Sequence, residues 1–137
     1  MNNDIEFPSV KGVKLAVVFD IELETLIEDW YVYLINTNEF ALTNVFVVSR
    51  GYGVDEFAEQ KTATLRHFFE LVEPNTWVQV ERITPETFHL VNEFWLSYYE
   101  AGNDQIFDKK ILFLPLSISH ENLIYIPEVG KQGILHS

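Results

Sequence analysis

Cysteine is absent from the 137 residues, so the chain has no disulfide, no thiolate nucleophile and no thiolate metal site. Basic residues are scarce: Lys and Arg total 9 against 21 Asp and Glu, a net charge of −12 with neutral His. The longest basic run is Lys109–Lys110. Nucleic-acid phosphates and anionic lipid surfaces both require a positive footprint, so neither is expected as a partner. Long apolar runs are also missing. Runs such as Leu15–Phe19 and Ile111–Leu116 are strand-sized and far short of the ~18 residues a membrane span needs. The opening MNNDIEFPSVKG has neither the basic start nor the apolar stretch of a secretory signal, and the expected location is cytoplasmic. With 6 Gly, the chain also lacks Gly-x-Ser-x-Gly, Gly-x-x-x-x-Gly-Lys and Gly-x-Gly-x-x-Gly, and it has no His-Glu-x-x-His.

Aromatic residues are what it has in quantity, with 11 Phe, 6 Tyr and 3 Trp. Hydrophobic residues make up 47% and charged residues 22%, an ordinary globular balance in a chain of single-domain length. Short β-rich runs separated by turn residues predict about seven strands, near 13–19, 30–36, 42–50, 62–71, 76–83, 93–100 and 105–114. Val78 and Val80 alternate cleanly with Gln79 and Glu81. Turn signals every roughly 8–14 residues predict an all-β, antiparallel sandwich. WYVYLINTNEFALTNVFVVS and FFELVEPNTWVQV resemble the strand steps of immunoglobulin-like or fibronectin-like sandwiches over residues 13–114. The segment from Val54 to Val72 also fits a helical stripe, and the alternative is an α+β fold with one helix near 55–72 on an antiparallel sheet. Residues 1–114 read as a single β-rich domain. Residues 115–137, with Pro115, Pro127, Gly130 and Gly133 around short apolar pieces, read as an extended tail packed on the domain or on a partner subunit.

Few residues suggest chemistry. Asp20, Glu22, Glu24, Glu28 and Asp29 place five carboxylates in ten residues. Alternate oxygen ligands suit Ca²⁺, but an EF-hand loop needs Gly at its sixth position, and the run reads as a solvated loop. Arg50-Gly51-Tyr52-Gly53 matches the first half of an RNA-recognition motif, but Val54 and Asp55 break the second half. It reads as a turn whose glycines supply positive φ. His89 and Glu93 share a face in a strand or a helix, yet a metal site needs three or four ligands, and no metal or cofactor is expected. Arg66, His67 and Glu70 sit among Leu65, Phe68 and Phe69. They read either as core and ordinary ion pair or as an anion-binding or general-base group.

Two aromatic-dense strands carry Trp30, Tyr31, Tyr33, Trp95, Tyr98 and Tyr99, apolar on both faces. Such strands need cover on their second side. Tyr31, Tyr33, Trp95, Tyr98 and Tyr99 are therefore the candidate interface, since Tyr and Trp favour protein contacts.

Three strings, Lys61-Thr62-x-x-Leu65-Arg66-His67-Phe68-Phe69, Asn92-Glu93-Phe94-Trp95-x-Ser97-Tyr98 and Asp108-Lys109-Lys110, resemble a family of small uncharacterised bacterial proteins. Some of its members carry the label phenylalanyl-tRNA synthetase alpha subunit. The resemblance spans most of the chain and implies no catalytic residue in it. The expected function is that of a non-enzymatic domain acting through protein–protein interaction or self-association, with a homodimer the expected state. The alternative is a binder of a small anionic ligand, or a minor enzyme, using Arg66 and His67 with Glu70.

Overall fold

A computed structural model describes residues 10–136. The N-terminal stretch read for a signal lies mostly outside them, as does the last residue of the tail. The strands are β1 (Val13–Ile21), β2 (Glu28–Asn36), β3 (Leu42–Tyr52), β4 (Leu65–Val72), β5 (Thr76–Ile83), β6 (Val91–Glu100), β7 (Ile106–Phe113), β8 (Ile124–Ile126) and β9 (Lys131–His136). They form two antiparallel sheets, β5-β2-β1-β9-β8 and β4-β3-β6-β7. The chain is an all-β sandwich. Its first seven strands make a three-plus-four arrangement in which β4 pairs with β3. The constant-type immunoglobulin order would put the fourth strand beside the fifth, and the order here departs from it at that strand.

The helical alternative for 55–72 does not hold. Only a 3-10 turn forms there, at Asp55–Phe57, and β4 begins at Leu65. Gly51 and Gly53 are not left-handed, as the turn reading required. They are small because the chain doubles back on them: a Cβ on Gly53 would run into the carbonyl of Phe57.

Between the sheets lies one core, with Leu15, Val32, Leu34, Val47, Phe94, Leu96, Tyr98 and Ile111 almost fully buried. Residues 115–137 do more than trail across the domain. β9 pairs with β1 (Val17 opposite Ile134), and β8 pairs with β9. The 126–129 segment folds over the outer face of the first sheet, where Ile126 and Val129 pack with Ala16, Val18, Tyr33 and Ile35. Lys14 Nζ meets Glu128 at 3.0 Å beside this contact and holds that carboxyl below its ordinary range. This is the cover that the doubly apolar β1 and β2 need.

The acidic run is the β1–β2 connection, closed by a bond from Glu22 N–H to the Ile27 carbonyl at 3.0 Å. Asp20 and Asp29 face each other across the hairpin. Like charges in that position repel. Each is matched by a cation from the adjacent strand, Lys131 at 3.0 Å and Arg82 at 2.7 Å.

Two bulges set which residues face in. On β3 the pairing shifts between Thr43 and Phe46, with Asn44 at φ 48°. On β5 it shifts opposite Val32 and Tyr33, leaving Val80 as the extra residue. Each insertion reverses the alternation beyond it. Val45, Val47 and Ser49 therefore turn inward and Phe46 outward. Beyond the β5 bulge, Glu81 turns inward with Ile83, which corrects its grouping with Gln79 on the opposite face from Val80.

Tyr98 shows how tightly the interior is filled. Its ring is 0% exposed and stacks on Phe107 at 5.4 Å, while its hydroxyl has no hydrogen-bond partner among the described residues. Burial pushes its phenol well above the ordinary value. An unpartnered buried hydroxyl costs about 1–3 kcal/mol. Tyr98→Phe is therefore expected to raise stability by about 1 kcal/mol, read from the urea midpoint at unchanged slope. A destabilised Phe variant would mean that the hydroxyl has a partner.

Candidate functional site

Successive strand residues point to opposite faces, and β4 separates Arg66 from His67 on that ground. His67 lies opposite Val47 and faces the space between the sheets. Its Nε2 sits 2.9 Å from Glu81 Oε1, and Ser49 donates its hydroxyl to the same oxygen at 2.6 Å. The three residues come from β4, β5 and β3 and tie the two sheets together where their edge strands meet. Serine, histidine and glutamate invite comparison with a nucleophilic triad. The order is wrong for one: the base must touch the nucleophile, with the carboxylate behind it. Here the carboxylate stands in the middle and takes both bonds. A pocket of about 200 Å³ opens beside it, lined by Gly51, Thr62, Thr87 and Asn92 among others. The group is a latch between sheets.

Arg66 points the other way, exposed on the outer face of the second sheet opposite Val48. Glu70 is also exposed, and four residues along a strand place it roughly 13 Å from Arg66. No ion pair joins them among the described residues. The anion site expected from Arg66, His67 and Glu70 is therefore not assembled.

The five interface candidates fall in three places. Tyr98 is in the core. Tyr33 is buried on the outer side of the first sheet, stacked on Trp77 at 4.5 Å, with Tyr31 half-buried in the same cluster. Trp95 and Tyr99 face outward from the second sheet, and Trp95 is 42% exposed.

Around Trp95 lies a surface that neither composition nor motif identified in full. Cross-strand register aligns Arg66, Val48, Trp95 and Lys110 in one row across the four strands. Phe68, Phe46, Ser97 and Asp108 form the row beside it. Phe46 and Phe68 are 49% and 53% exposed and meet at 4.8 Å between ring centroids. Phe68 had a signal in the sequence, because two consecutive aromatics in a strand cannot both face inward. Phe46 had none, since only the β3 bulge turns it out.

Beside the aromatic patch Glu93 is 7% exposed and accepts from Arg50 Nε at 2.8 Å and from the Tyr52 hydroxyl at 3.4 Å. The hydrogen bond that Arg50 donates to Glu93 raises the Arg50 guanidinium pKa, and burial, with Glu93 adding to it, raises the Tyr52 phenol. Lys110 lies 3.8 Å from Glu93 and 5.6 Å over the Trp95 ring. Charged side chains thus stand around an apolar centre.

Among the described residues no cluster of three His, Asp or Glu stands close enough to hold a metal, and no helix is long and apolar enough to cross a membrane. The chain matches no family model, no curated protein and no solved structure.

Proposed function

We propose that this protein is a non-enzymatic domain that acts by binding protein, and that the outer face of its four-stranded sheet is the working surface. One observation carries the reading. Phe46, Phe68 and Trp95 gather as exposed aromatics on adjacent rows of one sheet face, with nothing among the described residues packed over them. Large apolar side chains gathered on one face and rimmed by charge mark interaction surfaces, whereas scattered ones need no explanation. The other doubly apolar region supports the contrast, because the chain covers it with its own Ile126 and Val129.

Partners that are neither nucleic acid nor membrane belong to the same proposal, supported by the charge of −12. A cytoplasmic location belongs to it as well. So does membership of the family of small bacterial proteins: its three strings fall around β4, β6 and β7, and several of their residues line this face. A small anionic ligand held by Arg66 and His67 finds no support, since the two side chains diverge.

Trp95→Asp and Phe68→Asp, both at exposed positions, are expected to leave the fold intact while lowering oligomeric mass or releasing a retained partner. His67→Ala should do neither. Light scattering on a size-exclusion column, with mass spectrometry of what co-purifies, reads both. A monodisperse wild-type monomer that retains nothing would sink the proposal.

A further inference from the structure

We infer that the partner on this face is a second copy of the chain, packed sheet against sheet about a two-fold axis that crosses the strands between the Trp95 and Phe46 rows. The inference rests on the reading above and adds the identity of the partner and the geometry.

Its ground is the side-chain pattern. Outward residues on β7 are Ile106, Asp108, Lys110 and Leu112, a sequence that complements itself when reversed about Lys109. A two-fold axis perpendicular to the strands performs that reversal. It lays each strand over its own copy running the opposite way, and each row over the other row. Lys110 then meets Asp108 of the second copy, and Leu112 meets Ile106. Arg66 comes over the ring of Phe68, a favourable cation–aromatic contact. Val48 comes over Phe46, and the large Trp95 over the small Ser97. An axis along the strands would instead oppose Arg66 to Lys110 and Phe68 to Asp108.

Charge favours the same face. The molecule carries −12, so two copies repel over most of their surface. Here Arg50, Arg66 and Lys110 balance Glu70, Glu93 and Asp108. Asp108 makes no ion pair among the described residues, which leaves it free for Lys110 of a second copy. Four strands and four rows cover roughly 500 Å² per copy at ordinary sheet spacings. The total, about 1,000 Å², is the lower bound for a specific interface, so the dimer is expected to dissociate on dilution.

Pairing edge to edge through β7 would also align Lys110 with Asp108. It would place Lys109 directly against itself, which opposes it, and would leave Phe46 and Phe68 uncovered.

The test is a charge exchange followed by sedimentation velocity and native mass spectrometry. K110D and D108K are each expected to weaken the wild-type dimer by about tenfold or more, because each brings like charges together twice. Mixing the two variants should restore association as a one-to-one heterodimer, in which every pair is again opposite in sign. The double variant K110D/D108K should dimerise like wild type. Failure of the mixture to recover would overturn the geometry even if the wild type is dimeric. A tighter dimer for Lys109→Gln, or no effect of Phe68→Asp on the dimer, would overturn it in favour of edge pairing. A wild-type monomer overturns self-association. If Phe68→Asp then still releases a different retained protein, the protein-binding reading survives, and if nothing is retained both fall.

Discussion

Asn36→Ala is expected to cost about 3 kcal/mol of stability, among the largest effects of any single polar substitution in the chain. Asn36 ends β2 and is 0% exposed. Its side-chain amide donates to the carbonyl of Phe40 at 2.9 Å and to that of Glu73 at 3.1 Å, while its oxygen accepts from Asn38 N–H at 3.0 Å. Phe40 lies on the connection from β2 to β3, and Glu73 on the connection from β4 to β5. At both, the chain passes from one sheet to the other. One amide therefore satisfies backbone groups at two crossings that no ladder reaches. Truncation strands those partly buried groups, and each lost partner costs about 1 kcal/mol. Asn36→Asp should be no better, because it replaces the donor with a negative charge facing two carbonyls. Urea unfolding reads the effect, and a loss below about 1 kcal/mol would show that water or a backbone shift replaces the amide.

Nothing around Asn36 in the sequence announces this role. The partner carbonyl at Glu73 is 37 residues away, and an asparagine before a turn is an ordinary sight. What was legible follows from local rules. Turn residues at regular spacing mark the first seven strands, and strand alternation separates Arg66 from His67 once 65–72 is a strand. The losses have two sources. One is the bulge: an extra residue on β3 turns Phe46 out, and one on β5 turns Glu81 in. No local pattern distinguishes LTNVFVVS with a bulge from the same run without one. The aromatic patch and the Ser49–Glu81–His67 latch depend on those two insertions. The second source is pairing at long range. β8 has three residues and β9 six, each bounded by Pro or Gly, and they resemble tail until β1 is seen beside them.

Removing residues 124–137 is expected to abolish the folded domain, and this is the largest effect the architecture predicts. Ile126 and Val129 are 1% and 9% exposed, and Leu135 packs against the same cluster. Side chains buried to that degree contribute about 1.5–3 kcal/mol each. Their combined loss, about 5 kcal/mol, equals the whole stability of many small domains. The truncation also uncovers Ala16, Val18, Tyr33 and Ile35 and leaves β1, the most apolar strand, as an open edge. Such an edge recruits other chains, so the expected product is insoluble. Gly133 tests the same contact by a point change. A Cβ there would lie 2.6 Å from the carbonyl oxygen of Val17, so Gly133→Ala must push β9 away from β1. Thermal unfolding and light scattering read both variants. The truncated chain should scatter strongly on expression, and the alanine variant should melt at a lower temperature and aggregate sooner. A truncated chain that stays soluble with a melting temperature within a few degrees of wild type would show that the first sheet is complete at β1. The apolar outer face of β1 and β2 would then have to be read as a second docking surface.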